Sequence, residues 1–381
     1  MQEAWLDELY EKLERKLSAE TDRIGSMIPF IPIGGHYRDL MMPGGLHWWT
    51  NGFWPGLLWQ MFHATGEEKY GRAAREASER LVPLLEEPGK LDHDVGFLFV
   101  LSALAGYLET GDEKAKENAV KAADILAGRF REGGFIEAWN PGTIPGQDTS
   151  GMMIADCMMN LSLLFQASRI TGDKKYEEIA VRHANRALEV LARPDGSSAH
   201  IARLDVKTGE FLGYPDGQGY APDSAWSRGQ SWILYGFANA FVHTGKAEYK
   251  DAAVRSANYC IAALAANDWL PQIDFRAPQD GRLDSTAGMV IASGLLTLAE
   301  ALRDASPLGE YDEAFYKEAA IRVLKACDEK FDQWDPETDA IVSGGSLRYH
   351  DDRMAGASII YGDYFLTEAV LKLKGKYLPV W

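Results

Sequence analysis

One short phrase recurs along this chain: Ala64-Thr-Gly-Glu-Glu-Lys-Tyr70, Glu109-Thr-Gly-Asp-Glu-Lys-Ala115, Ile170-Thr-Gly-Asp-Lys-Lys-Tyr176 and His243-Thr-Gly-Lys-Ala-Glu-Tyr249. Each follows an apolar run and precedes an amphipathic one. A glycine just past a helix end supplies the left-handed cap, and acidic residues suit the first turn of the next helix in three of the four. Each phrase therefore reads as the joint of a helical hairpin. The glycines are 45, 61 and 73 residues apart, so the hairpins repeat with connections of variable length.

The apolar periodicity predicts twelve helices, near 3–20, 52–65, 67–86, 94–109, 112–130, 150–170, 173–193, 224–244, 246–266, 285–304, 310–332 and 356–374. They alternate in character. The second, fourth, sixth, eighth, tenth and twelfth are rich in Gly, Ala, Ser, Met and aromatics with few charges; the others carry Glu, Lys and Arg on one face. Helices apolar all round are buried and amphipathic ones cover them. The expectation is one all-α domain over residues 1–381, an (α/α)6 barrel of six hairpins. The one strand signal is a surface hairpin over 199–211, turning at 205–210.

Composition narrows the class. A formal net charge of −17 with no basic run argues against a nucleic-acid partner. Cys157, Cys260 and Cys327 form no CxxC pair, which favours a reduced, cytoplasmic setting over disulfides or structural zinc. The N-terminal residues lack a signal-peptide pattern. The uncharged stretch Leu40–Gly66 holds two prolines and five glycines, so it is not read as a membrane span. No metal or cofactor is expected: HExxH, phosphate loops and dinucleotide fingerprints are absent. The chain is expected to be a monomer or a weak homo-oligomer.

Candidate chemistry gathers where the apolar helices begin. Asp148, Asp223 and Asp284 read as N-caps, and parallel inner helices would aim their positive dipole ends at one rim, suited to an anion. Trp54 and Trp59 read as core. Trp49, Trp139 and Trp226 sit at loops or helix starts, where aromatic faces suit sugar rings. Asp156, expected two turns into the 150–170 helix among four methionines, should have its pKa raised by burial, as a general acid needs. The alternative is a buried Asp bonded to a neighbouring cap. Asp94 reads equally as a cap or as the second member of a carboxylate pair. Asn160 lies at i+4 from Asp156 on the same face. Arg228 stands in an otherwise uncharged buried helix and needs an Asp partner, an anionic ligand or both. Trp232, at i+4, could brace it.

Several segments resemble unsaturated glucuronyl hydrolases, glycoside hydrolase family 88: Trp49-Thr-Asn-Gly-Phe-Trp54, Asp92-His-Asp-Val-Gly-Phe97, Asp156-Cys-Met-Met-Asn160, Ser197-Ser-Ala-His200, Gln218-Gly through Trp226-Ser-Arg-Gly-Gln-Ser-Trp232, Asp284-Ser-Thr-Ala and Tyr361-Gly-Asp-Tyr-Phe365. They lie in family order across almost the whole chain. The resemblance implies an (α/α)6 barrel, Asp156 as general acid/base and Asp94 as the second essential carboxylate. It implies Trp49, Trp139, His200, Gln218, Trp226, Arg228 and Trp232 around a bound uronic acid; His93 and Asn160 join this substrate-binding set. Asn51 stands where the family often has Asp, and Ala199 where an aromatic is common, which bears on subsites rather than on the carboxylates. The implied substrate is a small lyase-generated oligosaccharide bearing a 4,5-unsaturated uronate at its non-reducing end. The rivals are an unsaturated galacturonyl hydrolase, an inverting glycosidase on the same fold, and a non-catalytic sugar-binding toroid.

Overall fold

A computed structural model describes residues 2–381 apart from 43, 144, 145, 147 and 279. Among the described residues there are twelve long helices: α1 (Gln2–Ile24), α2 (Phe53–Thr65), α3 (Glu68–Leu81), α4 (Val95–Thr110), α5 (Glu113–Ala127), α6 (Cys157–Thr171), α7 (Lys174–Val190), α8 (Ser227–Thr244), α9 (Ala247–Ala265), α10 (Ser285–Ala305), α11 (Gly309–Phe331) and α12 (Ile360–Lys374). α4 carries a π turn at Val100–Leu104.

The Thr-Gly phrases are the hairpin joints. Gly66, Gly111, Gly172 and Gly245 all cap inner helices with φ between +68° and +76°, a conformation that costs glycine nothing. The preceding threonine works the same way each time. Thr65, Thr110, Thr171 and Thr244 donate their hydroxyls to the carbonyl four residues back at 2.6–2.7 Å, and accept the N–H two residues on at 3.1–3.3 Å. One side chain thus adds a second bond to a carbonyl of the last full turn and satisfies the first free amide beyond the helix.

The even-numbered helices form the inner wall. α2 packs on α4, α4 on α6, α6 on α8, α8 on α10, α10 on α12, and α12 closes on α2. Each odd helix backs an inner one, with α1 against α12. The result is the (α/α)6 ring. Since every inner helix is preceded by an outer one running the opposite way, all six inner N-termini face one rim. α10 is long and apolar enough to cross a bilayer, yet 83% of its apolar window is buried inside the ring.

Two expectations are corrected. The run 150–170 is not one helix: Met152–Ile154 forms β1, antiparallel to β2 (Ile201–Leu204), which pairs with β3 (Phe211–Gly213). Gly151, at φ +72°, lets the chain pass so close to β2 that a Cβ there would lie 2.0 Å from the Leu204 carbonyl oxygen. The hairpin expected over 199–211 is present as β2–β3, but β2 is the mostly buried middle strand between β1 and β3, and only β3 lies on the surface. The Asp capping expectation also fails. Asp223 and Asp148 lie before α8 and α6 and are exposed, Asp148 bonding Ser150 N–H and Arg203. Asp94, Asp156 and Asp284 occupy cap positions without capping their helices. Their carboxylates are committed elsewhere.

Candidate active site

Asp94 and Asp156 occupy equivalent places on adjacent inner helices, each immediately before the first turn of α4 or α6. Asp156 is therefore at the rim rather than two turns down. Both carboxylates retain 14–15% side-chain exposure, enough to be reached from the lumen. Asn160 bridges them. Its Oδ1 accepts the Phe97 N–H at 2.6 Å and its amide donates to the Asp156 carbonyl at 3.3 Å and to the Asp94 carboxylate. The bridge needs Gly96, where a Cβ would lie 2.3 Å from Asn160 Oδ1.

The two carboxyls are shifted in opposite directions. Burial and the neighbouring charges of Asp92 and Asp156 push Asp94 well above the ordinary carboxylate range. His93 beside it is pushed down by burial and stays neutral. Its Nδ1 donates to the Ala138 carbonyl at 2.9 Å, leaving Nε2 as an acceptor 3.3 Å from Asp94 Oδ1. Asp156 is burdened by the same burial, yet the hydrogen bond from His200 and the nearby Arg228 guanidinium bring it below the ordinary value. The raised pKa expected for Asp156 belongs to Asp94 instead. His200 is the reason: its Nδ1 accepts the Gln218 N–H at 3.4 Å, so Nε2 carries the proton and donates to Asp156 Oδ2 at 3.2 Å. Two titratable groups driven apart in this way are a proton donor and an acceptor side by side.

The cation of the rim is Arg228, 2% exposed. Its partner is Asp284 on the next inner helix, Nη1 to Oδ2 at 3.0 Å, with further donation to the carbonyls of Ser346 and, at 2.8 Å, Leu347. Asp223, the nearer acid in sequence, is not involved. Thr286 joins the pair, donating to Asp284 Oδ1 at 2.5 Å and lying 3.1 Å from Tyr361 OH. The guanidinium is braced by the rings of Trp226 at 4.3 Å and Tyr361 at 5.5 Å, not by Trp232. Asp284, Thr286 and Tyr361 are thus site residues whose role the sequence reading missed, although their segments lay among the matched motifs.

The tryptophans divide. Trp54 and Trp59 are core, as expected, with indole N–H groups bonded to Gly25 O and Ser78 Oγ. Trp49 and Trp139 are half-buried at the rim; Trp49 packs on Phe53, Phe97 and Tyr361, and Trp139 stands edge-on to His93 at 6.1 Å. Trp226 is 2% exposed and its face carries Arg228, so it is a wall behind the guanidinium rather than a stacking platform. Trp232 lies below, against Phe97 and Phe365, in the aromatic floor. Gln218 is half-buried, its backbone tied to His200 and Tyr349. Asp92, His93 and Asp94 bring ligand atoms within 4.8 Å of one another, but Asp92 Oδ1 already accepts the Asp94 N–H, and His93 Nδ1 donates to the Ala138 carbonyl.

The profile of Glycosyl Hydrolase Family 88 matches residues 34–322. The chain belongs to this family. Among family 88 relatives it is similar to the unsaturated glucuronyl hydrolase of Bacillus sp. (strain GL1), 34% identical over 87% of this chain and 88% of that one. It is likewise similar to the unsaturated chondroitin disaccharide hydrolase of Streptococcus pneumoniae, 32% identical over 87% and 83%. The crystal structure of the Bacillus sp. GL1 enzyme, described as responsible for the degradation of glycosaminoglycan, superposes with TM-score 0.87 at 31% identity, covering 97% of each chain. A variant of the Streptococcus agalactiae enzyme complexed with dGlcA-GalNAc6S superposes with TM-score 0.81 at 26% identity, covering 99% of this chain and 93% of that one. Membership in family 88 makes the protein a glycoside hydrolase.

Proposed function

We propose that this hydrolase removes a 4,5-unsaturated glucuronate from the non-reducing end of lyase-generated oligosaccharides, by hydrating the C4=C5 bond. The observation that carries the reading is the Asp94–Asp156 pair, placed alike at the starts of adjacent inner helices and shifted in opposite directions by their surroundings, at a rim holding a buried arginine. The names of its relatives supply the substrate class.

At rest the surroundings push Asp94 toward its protonated form and hold Asp156 toward its ionised form. An arriving uronate carboxylate adds a further negative charge and favours protonation of Asp156 as well. Asp156 then gives its proton to C4, and positive character develops at C5, shared with the ring oxygen. Water attacks C5 while Asp156, now a carboxylate, takes back a proton. The hemiketal opens, C1 loses the aglycone, and no net acid is consumed. Neutral Asp94 donates a hydrogen bond to a substrate hydroxyl; Arg228 faces the carboxylate with the N–H groups that Asp284 and the 346–347 carbonyls leave free. An intracellular site of action is supported by three buried, unpaired cysteines, Cys157, Cys260 and Cys327.

Isotope incorporation tests the reaction. In deuterated water the product should carry deuterium at C4, and in oxygen-18 water the label should enter C5. A saturated glucuronide should be inert. Early label at C1, or cleavage of the saturated sugar, would instead establish an inverting glycosidase, which needs its carboxyls roughly 6.5–9.5 Å apart with water between.

A further inference from the structure

The lumen is closed at the end away from the carboxylates by the segment 377–381. Gln60 of α2 grips its backbone, Nε2 donating to Leu378 O and Oε1 accepting Leu378 N–H, both at 2.8 Å. Trp381 is 8% exposed and its indole N–H donates to Glu368 Oε2 of α12 at 2.7 Å. The ring lies parallel to Phe365 at 6.1 Å and meets Phe97 edge-on at 5.9 Å. Phe97, Trp232 and Phe365 form one continuous layer, with centroids 5.3 and 5.6 Å apart. That layer is the floor of the site. Phe97 carries the connection upward: its ring meets Trp49 at 5.5 Å, and its N–H holds Asn160 Oδ1 at 2.6 Å.

We propose that Trp381 is a positioning residue for the carboxylate pair: it supports the Phe97 ring from below, and so fixes the N–H that sets Asn160 between Asp94 and Asp156. The proposal rests on the hydrolase reading above. Close-packed interiors transmit such support, and a void under Phe97 is filled by its neighbours only in part. A shifted Phe97 misaligns Asn160, whose donated hydrogen bond favours ionised Asp94; losing it moves the Asp94 titration to higher pH. The Trp381 side chain meets Phe97, Tyr235, Tyr364, Phe365 and Glu368 and no sugar-facing side chain, so the loss should fall on turnover more than on binding.

The test compares kcat, KM and the pH profile of Trp381→Ala and Trp381→Phe on an unsaturated disaccharide, with and without free indole. Leu17→Ala, a fully buried position on the outer wall, is the control for simple destabilisation. Trp381→Ala should lose at least about tenfold in kcat at similar KM, with its alkaline limb moved upward. Indole should restore much of the loss, and Trp381→Phe should keep most of the activity. Leu17→Ala should melt earlier with kcat and pH limbs intact. Wild-type kcat and limbs in folded Trp381→Ala overturn the proposal, as does an equal kcat loss in Leu17→Ala. If the alanine variant does not fold, Gln60→Ala loosens the same segment, and unchanged kcat and limbs there overturn it too. Carbon-13 NMR titration of the Asp94 carboxyl in ligand-free enzyme reads the same displacement without substrate. A moved titration with an inert disaccharide therefore counts against the substrate reading alone, and an unmoved one against Trp381.

Discussion

Arg228→Ala separates what the arginine does for the fold from what it does for the ligand. Arg228 and Asp284 side chains are 3% and 0% exposed, so removing the cation strands a buried carboxylate, which costs about 3–5 kcal/mol. With an unfolding entropy of roughly 2.1 cal/mol/K per residue over 381 residues, that is a fall in melting temperature of about 4–6 °C. Binding of the uronate should weaken by a further ~1.5–3 kcal/mol, one charged hydrogen bond, with a neutral methyl ester losing much less. The double variant Arg228→Met with Asp284→Asn removes both charges and should regain most of the melting temperature without regaining affinity. Differential scanning calorimetry and KM for the acid and ester substrates measure the two quantities independently. An unmoved melting temperature in Arg228→Ala, or a double variant no more stable than the worse single one, would refute the buried-pair argument. Equal losses for acid and ester would leave Arg228 a clamp on the 346–347 loop and nothing more.

The remaining predictions concern the carboxylates and their bridge. Asp156→Asn should fold normally and lose all measurable turnover, since an amide cannot protonate carbon and nearly preserves volume; residual activity above about a thousandth of wild type would count against it. Asp94→Asn keeps a neutral donor but cannot ionise. Because burial and the neighbouring Asp92 and Asp156 raise the pKa of wild-type Asp94, its ionisation belongs to the alkaline side of the profile, and the variant should lose that limb of kcat/KM while its acid limb stays. A retained alkaline limb would assign that ionisation to another group. Gly96→Ala should cost about 3 kcal/mol or more by overpacking, with kcat falling further than stability explains; a folded variant with normal kcat would show that the Asn160 bridge is dispensable.

The ring was legible because its signal is repeated and local: four Thr-Gly joints and six alternations of apolar with amphipathic helix. β1 was not, because the apolar run from Gly151 to Met159 fits a buried strand as well as a helix, and its partner β2 is far along the chain. The same reason governs the site. Asp94, Asp156 and Arg228 stand out as charges in apolar surroundings, which any reader of the sequence can see. Their proton states and partners come from other elements: His200 from β2's edge, Asp284 from α10, the 346–347 carbonyls from the connection before α12. Burial alone predicts a raised Asp156, and only the folded neighbour His200 reverses it.

The irregular spacing of the Thr-Gly joints has a further meaning once the ring is closed. Each joint is a tight turn at the end remote from Asp94 and Asp156, while the long connections, 128–156 and 191–226 among them, all lie at the rim. Additions and deletions there alter the walls of the cleft without changing helix lengths. They reach the carboxylates and the arginine only through the residues the connections lend to the site, His200 to Asp156 and the 346–347 carbonyls to Arg228. The molecule is built like a chuck: the starts of three inner helices hold Asp94, Asp156 and Arg228 in fixed places, and the loops around them are the jaws, bringing His200 to Asp156 and Trp139 to His93.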